Sequence, residues 1–225
     1  MLTAEKITKS YGQLNVLKGI DLSVAKGELV AIVGASGAGK STLLHILGTL
    51  DRPDYGKVTM HGRNIFDRSP RELSSFRNKS IGFIFQFHNL LPEFSALENV
   101  MIPGLIQNSS GEKEVRRRAT ELLQLLGLQD RLDHKPSELS GGEQQRTAVA
   151  RALINSPDLI LADEPSGNLD SKNAVDLHNM FFQLRKDFGH TFIIVTHNQE
   201  LAAMADRKIE LKDGLVVREA PTHSA

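Results

Sequence analysis

Short, continuous apolar runs recur along the chain, and each is followed by turn or polar residues and then by a helical pattern. The runs span residues 29–33, 159–162 and 192–195. Uninterrupted apolar runs of this length are typical of parallel strands that are covered on both faces, with helices as the crossover connections. The pattern therefore predicts an α/β fold built on a buried parallel sheet.

Apolar residues spaced three and four positions apart predict two amphipathic helices. The first begins after Ser171, and we expect its apolar stripe to pack in the core. That stripe consists of Ala174, Leu177, Phe181, Leu184 and Phe188. The second helix ends at Gly127, and we expect its basic triplet to lie on a solvated face. Its apolar positions are Val115, Ala119, Leu122, Leu123 and Leu126, and its basic positions are Arg116, Arg117 and Arg118.

The segment between about residues 87 and 155 differs from the α/β pattern around it. Loop and boundary signals punctuate it at Pro92, Pro103 and 108–111, which predicts a mostly helical insertion. Near the start of the chain, residues 7–24 alternate as antiparallel strands do. We expect one domain over residues 1–225. Its core and β subdomain would occupy 1–86 and 156–225, and its helical subdomain 87–155.

Charge and composition exclude several classes of protein. The 27 basic residues balance the 27 acidic ones, whereas a protein that neutralises nucleic-acid phosphates usually carries a basic excess. With no Cys, disulfides, thiolate metal ligands and a thiol nucleophile are excluded. The apolar runs are far shorter than the roughly 18–20 residues that cross a bilayer, and the N-terminus does not resemble a signal peptide. We expect an intracellular chain that reaches any membrane through a partner.

A glycine-rich stretch follows the first apolar run and matches the pattern G-x-x-x-x-G-K-[ST]. Its glycines allow backbone N–H groups to turn toward phosphate oxygens, and the helix that follows adds its positive N-terminal dipole. We expect Lys40 to bridge the terminal phosphates and Ser41 to ligate Mg²⁺. The predicted nucleotide-contacting positions are Gly34, Ala35, Ser36, Gly37, Ala38, Gly39, Lys40, Ser41 and Thr42.

Two acidic residues, Asp163 and Glu164, follow the apolar run at 159–162. Alone, such a pair is more often a strand cap than a catalytic pair. Beside a phosphate cradle, however, a carboxylate at a strand end is the expected Mg²⁺ partner, and we assign this role to Asp163. Glu164 should point to the opposite side of the chain, where we expect it to act as general base toward water.

Two further polar residues follow apolar runs. His197 comes after residues 192–196, and Gln86 comes after 81–85. The carboxyl ends of parallel strands meet at the ligand-binding edge of such sheets. We expect His197 to contact the γ-phosphate as a catalytic residue, and Gln86 to touch Mg²⁺ or the attacking water. The alternative for each is an ordinary surface role.

A second glycine motif, Leu-Ser-Gly-Gly-Glu-Gln-Gln-Arg at 139–146, opens another helical stretch, with Ser140 as a plausible N-cap. Together and in this order, the motifs resemble the nucleotide-binding subunit of an ABC transporter over about residues 3–217. The resemblance implies a P-loop NTPase (RecA-like) core with an antiparallel β subdomain and an inserted α-helical subdomain. It also implies an ATP hydrolase that uses ATP and Mg²⁺.

The resemblance also implies roles that the motifs alone do not show. Tyr11 would stack on adenine, and Gln86 would link the nucleotide site to the helical subdomain. Ser140, Gly141 and Gly142 would complete the ATP site of a second copy of the chain, and Asp170 would lie in a loop that crosses the dimer interface. Many family members carry Gln where this chain has Glu143, which leaves the role of that side chain open.

Within the family, residues 85–100 and 167–170 resemble the ATPase of the bacterial lipoprotein-releasing complex. This implies integral membrane partner subunits and a position on the cytoplasmic face of the inner membrane. Related ATPases of macrolide or peptide exporters and of cell-division signalling complexes remain alternatives. The apolar residues after Gln86 would either form a groove for a membrane subunit or belong to the core. They are Phe87, Leu90, Leu91, Pro92 and Phe94.

Overall fold

The computed structural model describes residues 1–107 and 111–222. Its strands are β1 (Leu2–Tyr11), β2 (Leu14–Val24), β3 (Leu29–Val33), β4 (Tyr55–Met60), β5 (Arg63–Asn64), β6 (Ile81–Phe85), β7 (Leu159–Asp163), β8 (Thr191–Val195), β9 (Arg207–Lys212) and β10 (Leu215–Pro221). Its helices are α1 (Lys40–Leu47), α2 (Pro70–Ser80), α3 (Ala96–Gln107), α4 (Gly111–Leu125), α5 (Gly141–Leu153), α6 (Ser171–Phe188) and α7 (Gln199–Met204).

The larger sheet has six strands in the order β10-β9-β3-β8-β7-β6. All its pairings are parallel except that of β9 with β10. Every residue of β3 and β8 is buried, which explains why these strands carry uninterrupted apolar runs. The predicted α/β core is therefore confirmed. The carboxyl ends of β3, β6, β7 and β8 share one edge of the sheet.

The smaller sheet is antiparallel and has the order β2-β1-β4-β5. Its inward side chains, among them Leu2, Ile7 and Leu17, are fully buried in one apolar cluster with residues of β3 and α1. This confirms the predicted antiparallel β subdomain. The packing also sets the end of β1, and with it Tyr11, beside the loop that precedes α1.

Helices α3, α4 and α5 lie between β6 and β7 in the chain and pack together with α6 in a second apolar cluster. The predicted helical insertion is thus present, and its boundaries at 86/87 and 155/156 stay a prediction.

The prediction that Pro103 marks a helix boundary was wrong, because Pro103 lies inside α3. Its carbonyl accepts hydrogen bonds from the Nδ2 atoms of Asn78 and Asn155, which hold the helix at this point. Of the loop predicted at 108–111, residues 108–110 lie outside the described residues.

Two predictions about helix faces also need correction. Phe188 was expected in the core with the rest of its stripe, but it is 56% exposed, because α6 ends there and the chain turns at Gly189 (φ 67°). Arg118 was expected on a solvated face, but it is half-buried. Its Nε donates to the Ile154 carbonyl at 2.5 Å, so it ties α4 to the end of α5.

Within residues 1–107 and 111–222, none of the helices combines the length and the apolar character that a bilayer crossing requires.

Two of the phenylalanines of α6, Phe181 and Phe188, provide a test of the packing. Phe181 is fully buried, and its ring centroid lies 5.5 Å from that of Phe192. We expect Phe181→Ala to lower the free energy of unfolding by about 3–5 kcal/mol, because it removes transfer energy and leaves a cavity. Phe188→Ala, on the same helix, should cost less than about 1 kcal/mol. Urea denaturation of both variants measures the difference, and similar losses would contradict this description of the core.

Candidate nucleotide site

A cavity of about 610 Å³ opens at the carboxyl edge of the larger sheet. Most of the predicted nucleotide-site residues line it, together with two apolar residues of β2. The lining residues are Tyr11, Leu14, Val16, Gly34, Ser36, Gly37, Gly39, Lys40, Ser41, Thr42, Gln86, Glu164 and His197. Of the other predicted positions, Ala35 and Ala38 lie in the same glycine-rich loop, and Asp163 lies beside Ser41. The cavity has the volume of a small-molecule site.

The loop between β3 and α1 has the backbone shape of an anion cradle. Gly34, Gly37 and Gly39 all have positive φ, and a Cβ at Gly34 would lie 2.2 Å from the Leu211 carbonyl oxygen. Helix α1 begins at Lys40, and Gly39 at its N-cap makes no side-chain cap, so its first N–H groups are available to an anion. The Lys40 Nζ donates to the carbonyls of Gly34 (2.9 Å) and Ala35 (3.0 Å), which folds the ammonium over the loop.

Ser41 and Asp163 meet at the floor of the cradle. The Ser41 hydroxyl donates to Asp163 Oδ1 at 3.1 Å, so two elements far apart in the chain place hard oxygen donors together. Burial raises the pKa of the Asp163 carboxyl above its ordinary value. Mg²⁺ commonly takes one or two protein oxygens and completes its shell with phosphate oxygens and water. The chemistry of this pair therefore fits Mg²⁺ beside a polyphosphate.

Gln86 lies across the cavity and pairs with a residue of the loop after β7. Its Nε2 donates to Asn168 Oδ1 at 3.1 Å, and Asn168 Nδ2 donates back to the Gln86 carbonyl at 3.1 Å. The amide Oε1, the only atom of this side chain that could ligate a cation, is not used in the pair. Sequence reasoning placed Gln86 at this edge but did not find Asn168.

Glu164 and His197 form a close pair at the ends of β7 and β8. Glu164 Oε2 lies 2.9 Å from His197 Nδ1 and accepts the His197 backbone N–H at 3.2 Å. Asp163 turns instead toward Ser41, so the adjacent acids have different partners. Glu164 itself adopts a left-handed backbone conformation (φ 46°), which costs a non-glycine residue roughly 1–3 kcal/mol.

Tyr11 is held at the rim of the cavity by two residues that sequence reasoning missed. Its hydroxyl donates to Asp51 Oδ2 at 2.6 Å, and the Lys9 Nζ lies 5.2 Å from the centre of its ring. Burial opposes ionisation of Asp51, but hydrogen bonds from Lys9 and Tyr11 outweigh it and lower the pKa of this carboxyl. The hydrogen bond to Asp51 in turn raises the pKa of Tyr11. In the sequence, Asp51 is an ordinary turn residue before Pro53 and carries no functional signal.

Ser140, Gly141 and Gly142 do not contribute to this cavity in the described part of the chain. Ser140 is the N-cap of α5, as predicted, and it forms a reciprocal capping box with Glu143. Glu143 Oε2 accepts the Ser140 N–H at 2.8 Å, and its Oε1 accepts from Arg131 Nε at 2.8 Å. The hydrogen bond from the Ser140 N–H is the main cause that lowers the pKa of Glu143, to about 2, and the hydrogen bond from Arg131 is the second lowering cause. Glu143 is therefore a helix-capping residue whose oxygens are turned back onto its own chain.

Asp170 is likewise outside the cavity as described and caps α6. Its Oδ1 accepts the Asn173 N–H at 2.9 Å, and this backbone bond lowers its pKa. The structure thus brings together the cradle, the acids, Gln86, His197 and Tyr11. It leaves residues 140–142, which we call the signature loop, and Asp170 outside the cavity.

Comparisons of the sequence with known proteins show the family to which the chain belongs. The "ABC transporter" family matches residues 17–167. A lipoprotein-releasing system ATP-binding protein LolD from Bacteroides fragilis (strain YCH46) is 59% identical over 217 residues, which cover 96% of this chain and 100% of the relative. A LolD from Aquifex aeolicus (strain VF5) is 51% identical over 219 residues and covers 97% of each chain.

Solved structures agree. The dimeric, post-hydrolysis structure of the ATP-binding cassette MJ0796 bound to ADP and Pi has a TM-score of 0.92 to this chain at 40% identity, with 100% of both chains covered. The cbiO1 subunit of Clostridium perfringens, part of the cbiONQ transporter complex, has a TM-score of 0.89 at 28% identity, covering 98% of this chain and 88% of that one.

The assignment of Glu143 to helix capping can be tested by substitution. Glu143→Gln keeps a side chain that fits the capping box and loses only the charged pair with Arg131, so we expect a loss of stability below about 1 kcal/mol. Glu143→Ala also loses the cap and should cost about 1 kcal/mol more. ATP turnover of the Gln variant should stay close to that of the unaltered chain. A large loss of turnover at normal stability would instead place Glu143 in the chemistry.

The same side chain predicts a pH effect. The pKa of Glu143 falls from 4.5 to about 2 on folding, so its stabilising contribution is complete above pH 4.5 and disappears as the pH falls toward 2. The side chain of its ion-pair partner Arg131 is 41% exposed, so solvent screens the pair and keeps the effect small. The difference in thermal stability between the unaltered chain and Glu143→Gln should therefore shrink across that window.

Proposed function

The chain belongs to the ABC transporter family, and from this membership we propose that it is the ATP-hydrolysing subunit of a complex that releases lipoproteins from the bacterial inner membrane toward the outer membrane. The observation that carries the proposal is the end-to-end similarity, at 51–59% identity, to curated relatives named as LolD of lipoprotein-releasing systems. No observation on this chain favours the exporter or cell-division alternatives.

We propose that ATP occupies the cavity with its phosphates in the cradle. Backbone N–H groups of residues 34–41 and the N-terminus of α1 would bind the β- and γ-phosphates, with Lys40 adding a full positive charge. Ala35 and Ala38 can contribute only through their backbone. Thr42, at the start of α1, would meet the inner phosphates. The exposed half of Tyr11 at the rim would stack on adenine.

Ser41, Asp163 and the Oε1 of Gln86 are the residues proposed to hold Mg²⁺. When bound, the ion would neutralise part of the charge that develops on the phosphate oxygens. The hydrogen bond between Ser41 and Asp163 keeps both donors in place beside the cradle. Gln86 also pairs with Asn168 in the loop after β7. A shift of Gln86 on loss of the γ-phosphate would therefore change the position of that loop.

The proposed reaction converts ATP and water to ADP and phosphate by in-line attack on the γ-phosphoryl group. Glu164 would orient the water and take its proton, and no covalent intermediate is implied. His197, whose ring and backbone N–H both contact Glu164, would fix that carboxylate and contact a γ-phosphate oxygen. Lys40 and His197 would stabilise the charge of the transferring group.

A second copy of the chain would complete each site. Ser140, Gly141, Gly142 and Asp170 do not reach the cavity described in their own chain, and the MJ0796 structures are dimers. We propose a two-fold symmetric pair in which the signature loop of one copy contacts the γ-phosphate held by the other. ATP would favour the closed pair because it binds both copies, and hydrolysis would remove that preference.

Integral membrane subunits would bind the apolar segment after Gln86. Phe87 is 71% exposed, Leu91 43% and Phe94 41%, with Pro92 also exposed and Leu90 half-buried. This exposure favours an interface over a core role for the segment. We propose that the chain is held through it at the cytoplasmic face of the inner membrane.

The base assignment predicts a separation of binding from turnover. Glu164→Gln should keep ATP binding, accumulate an ATP-bound dimer and lower kcat by at least about 100-fold, because general-base catalysis is lost. Lys40→Ala, as the control for binding, should lose ATP affinity. Equilibrium binding, size-exclusion chromatography and steady-state kinetics measure these effects. Normal turnover by Glu164→Gln would contradict the assignment.

The partner surface predicts loss of assembly without loss of the ATP site. Leu91→Ser combined with Phe94→Ser should weaken co-purification with the membrane subunits and abolish lipoprotein release, while the isolated chain still hydrolyses ATP. Val217→Ser, at an exposed apolar position on β10, is the matched control and should assemble normally. Normal assembly of the double variant would exclude this surface.

A further inference from the structure

Gln145 is a fully buried polar side chain of α5 to which none of the roles above is assigned. Its Nε2 donates to the Pro165 carbonyl at 2.7 Å. The carbonyl can only accept, so this contact fixes which end of the amide faces Pro165. The Oε1 is buried and accepts no hydrogen bond from the residues that the structure describes.

Stability alone does not account for this side chain. A buried hydrogen bond contributes a net of only about 0.5–1.5 kcal/mol, whereas a buried polar atom left without a partner costs about 1–3 kcal/mol. An apolar side chain of the same size would remove the unpaired Oε1 but would leave the buried Pro165 carbonyl without its donor, so the amide brings little net stability over such a side chain. The contact has to be explained by the position that it gives to Pro165.

Pro165 directly follows Glu164, whose backbone is in the left-handed region. A strained conformation of this kind persists only where its surroundings fix it. Two backbone bonds hold Glu164 itself: its N–H donates to the Val195 carbonyl at 2.9 Å, and its carbonyl accepts from the Gly167 N–H at 3.0 Å. The bond from Gln145 fixes the next peptide, and it is a side-chain bond that comes from a different subdomain.

The same helix also contacts the far end of this loop. A Cβ on Gly142 would lie 2.4 Å from Asn173 Oδ1, so the first turn of α5 packs directly on the first turn of α6. Asn173 in turn donates to Asp170 through both its N–H and its Nδ2. Helix α5 therefore contacts both ends of the loop formed by residues 164–170. Gln145 binds Pro165 at the first end, and Gly142 packs on Asn173, the partner of Asp170, at the second.

We propose that Gln145 is a positioning residue that couples the signature loop to Glu164. The helix that presents residues 140–142 to the partner's ATP carries, one turn later, the anchor for the base at its own ATP. Capture of ATP by one copy's signature loop would thus set the geometry of Glu164 at that copy's own site. The proposal rests on the proposed function, in which Glu164 is the base and the signature loop acts across the dimer.

The test compares Gln145→Met with Thr147→Val. Met fills a similar volume without hydrogen bonds. Thr147 is also fully buried on α5, but its hydroxyl donates to the Glu143 carbonyl of its own helix. We expect Gln145→Met to lower kcat by about tenfold, equivalent to about 1.4 kcal/mol on the barrier, with an unchanged KM for ATP. Its Hill coefficient for ATP should fall toward one. Thr147→Val should change neither quantity, and the two variants should melt at similar temperatures.

A second measurement separates the base from the signature loop. In the Glu164→Gln background, adding Gln145→Met should leave ATP-dependent dimer formation intact, because residues 140–142 are unaltered. Loss of that dimer, normal kcat in Gln145→Met, or an equal loss in Thr147→Val would each overturn the proposal. If the Met variant does not fold, Gln145→Asn, whose amide is too short to reach Pro165, replaces it with the same expectations. Normal turnover by Glu164→Gln alone would instead refute the proposed function.

Discussion

The pairing of β7 with β8 places Asp163 opposite Val195, and β3 pairs Ile32 with the same Val195. The three strands therefore end within one residue of one another, and the residues that follow each strand begin at the same edge of the sheet. The Glu164 N–H extends this ladder by one more bond, to the Val195 carbonyl. A slip of one residue would move a strand end by about 3.3 Å and reverse the sides of its side chains. Neither the Ser41–Asp163 bond nor the Glu164–His197 pair would survive it.

The parts of the site that could be predicted are those whose chemistry is contiguous in the chain. The cradle at 34–41, the acids at 163–164 and His197 each follow an apolar run, so strand prediction was enough to bring them to one edge. Asp51, Asn168 and Gln145 were missed because their partners lie far away in sequence: Tyr11 is 40 residues from Asp51, and Gln86 is 82 residues from Asn168. Such pairs leave no local pattern. Arg118 and Phe188 were misplaced for a related reason, since helical spacing gives a face but not where the neighbouring layer ends.

The chain balances its charges overall, yet the site concentrates its electrostatics locally. Much of the positive potential at the cradle comes from backbone N–H groups and the N-terminus of α1, which a count of Lys and Arg does not include. The acids are kept apart by their partners: Asp163 faces Ser41, and Glu164 faces His197. In the proposed function, the two adjacent carboxylates would serve a cation and a water respectively, and the left-handed backbone of Glu164 is the point at which the chain turns between them.

Tyr11 meets its neighbours in a way that bears on which nucleotides the site accepts. Its hydroxyl is engaged by Asp51 and the Lys9 ammonium lies over its ring, so in its proposed role it offers an incoming base only a ring face. Every nucleobase has such a face, and stacking discriminates little between purines. In that role Tyr11 would hold a guanine base about as well as an adenine base, so it would contribute affinity for the nucleotide but little selection between ATP and GTP.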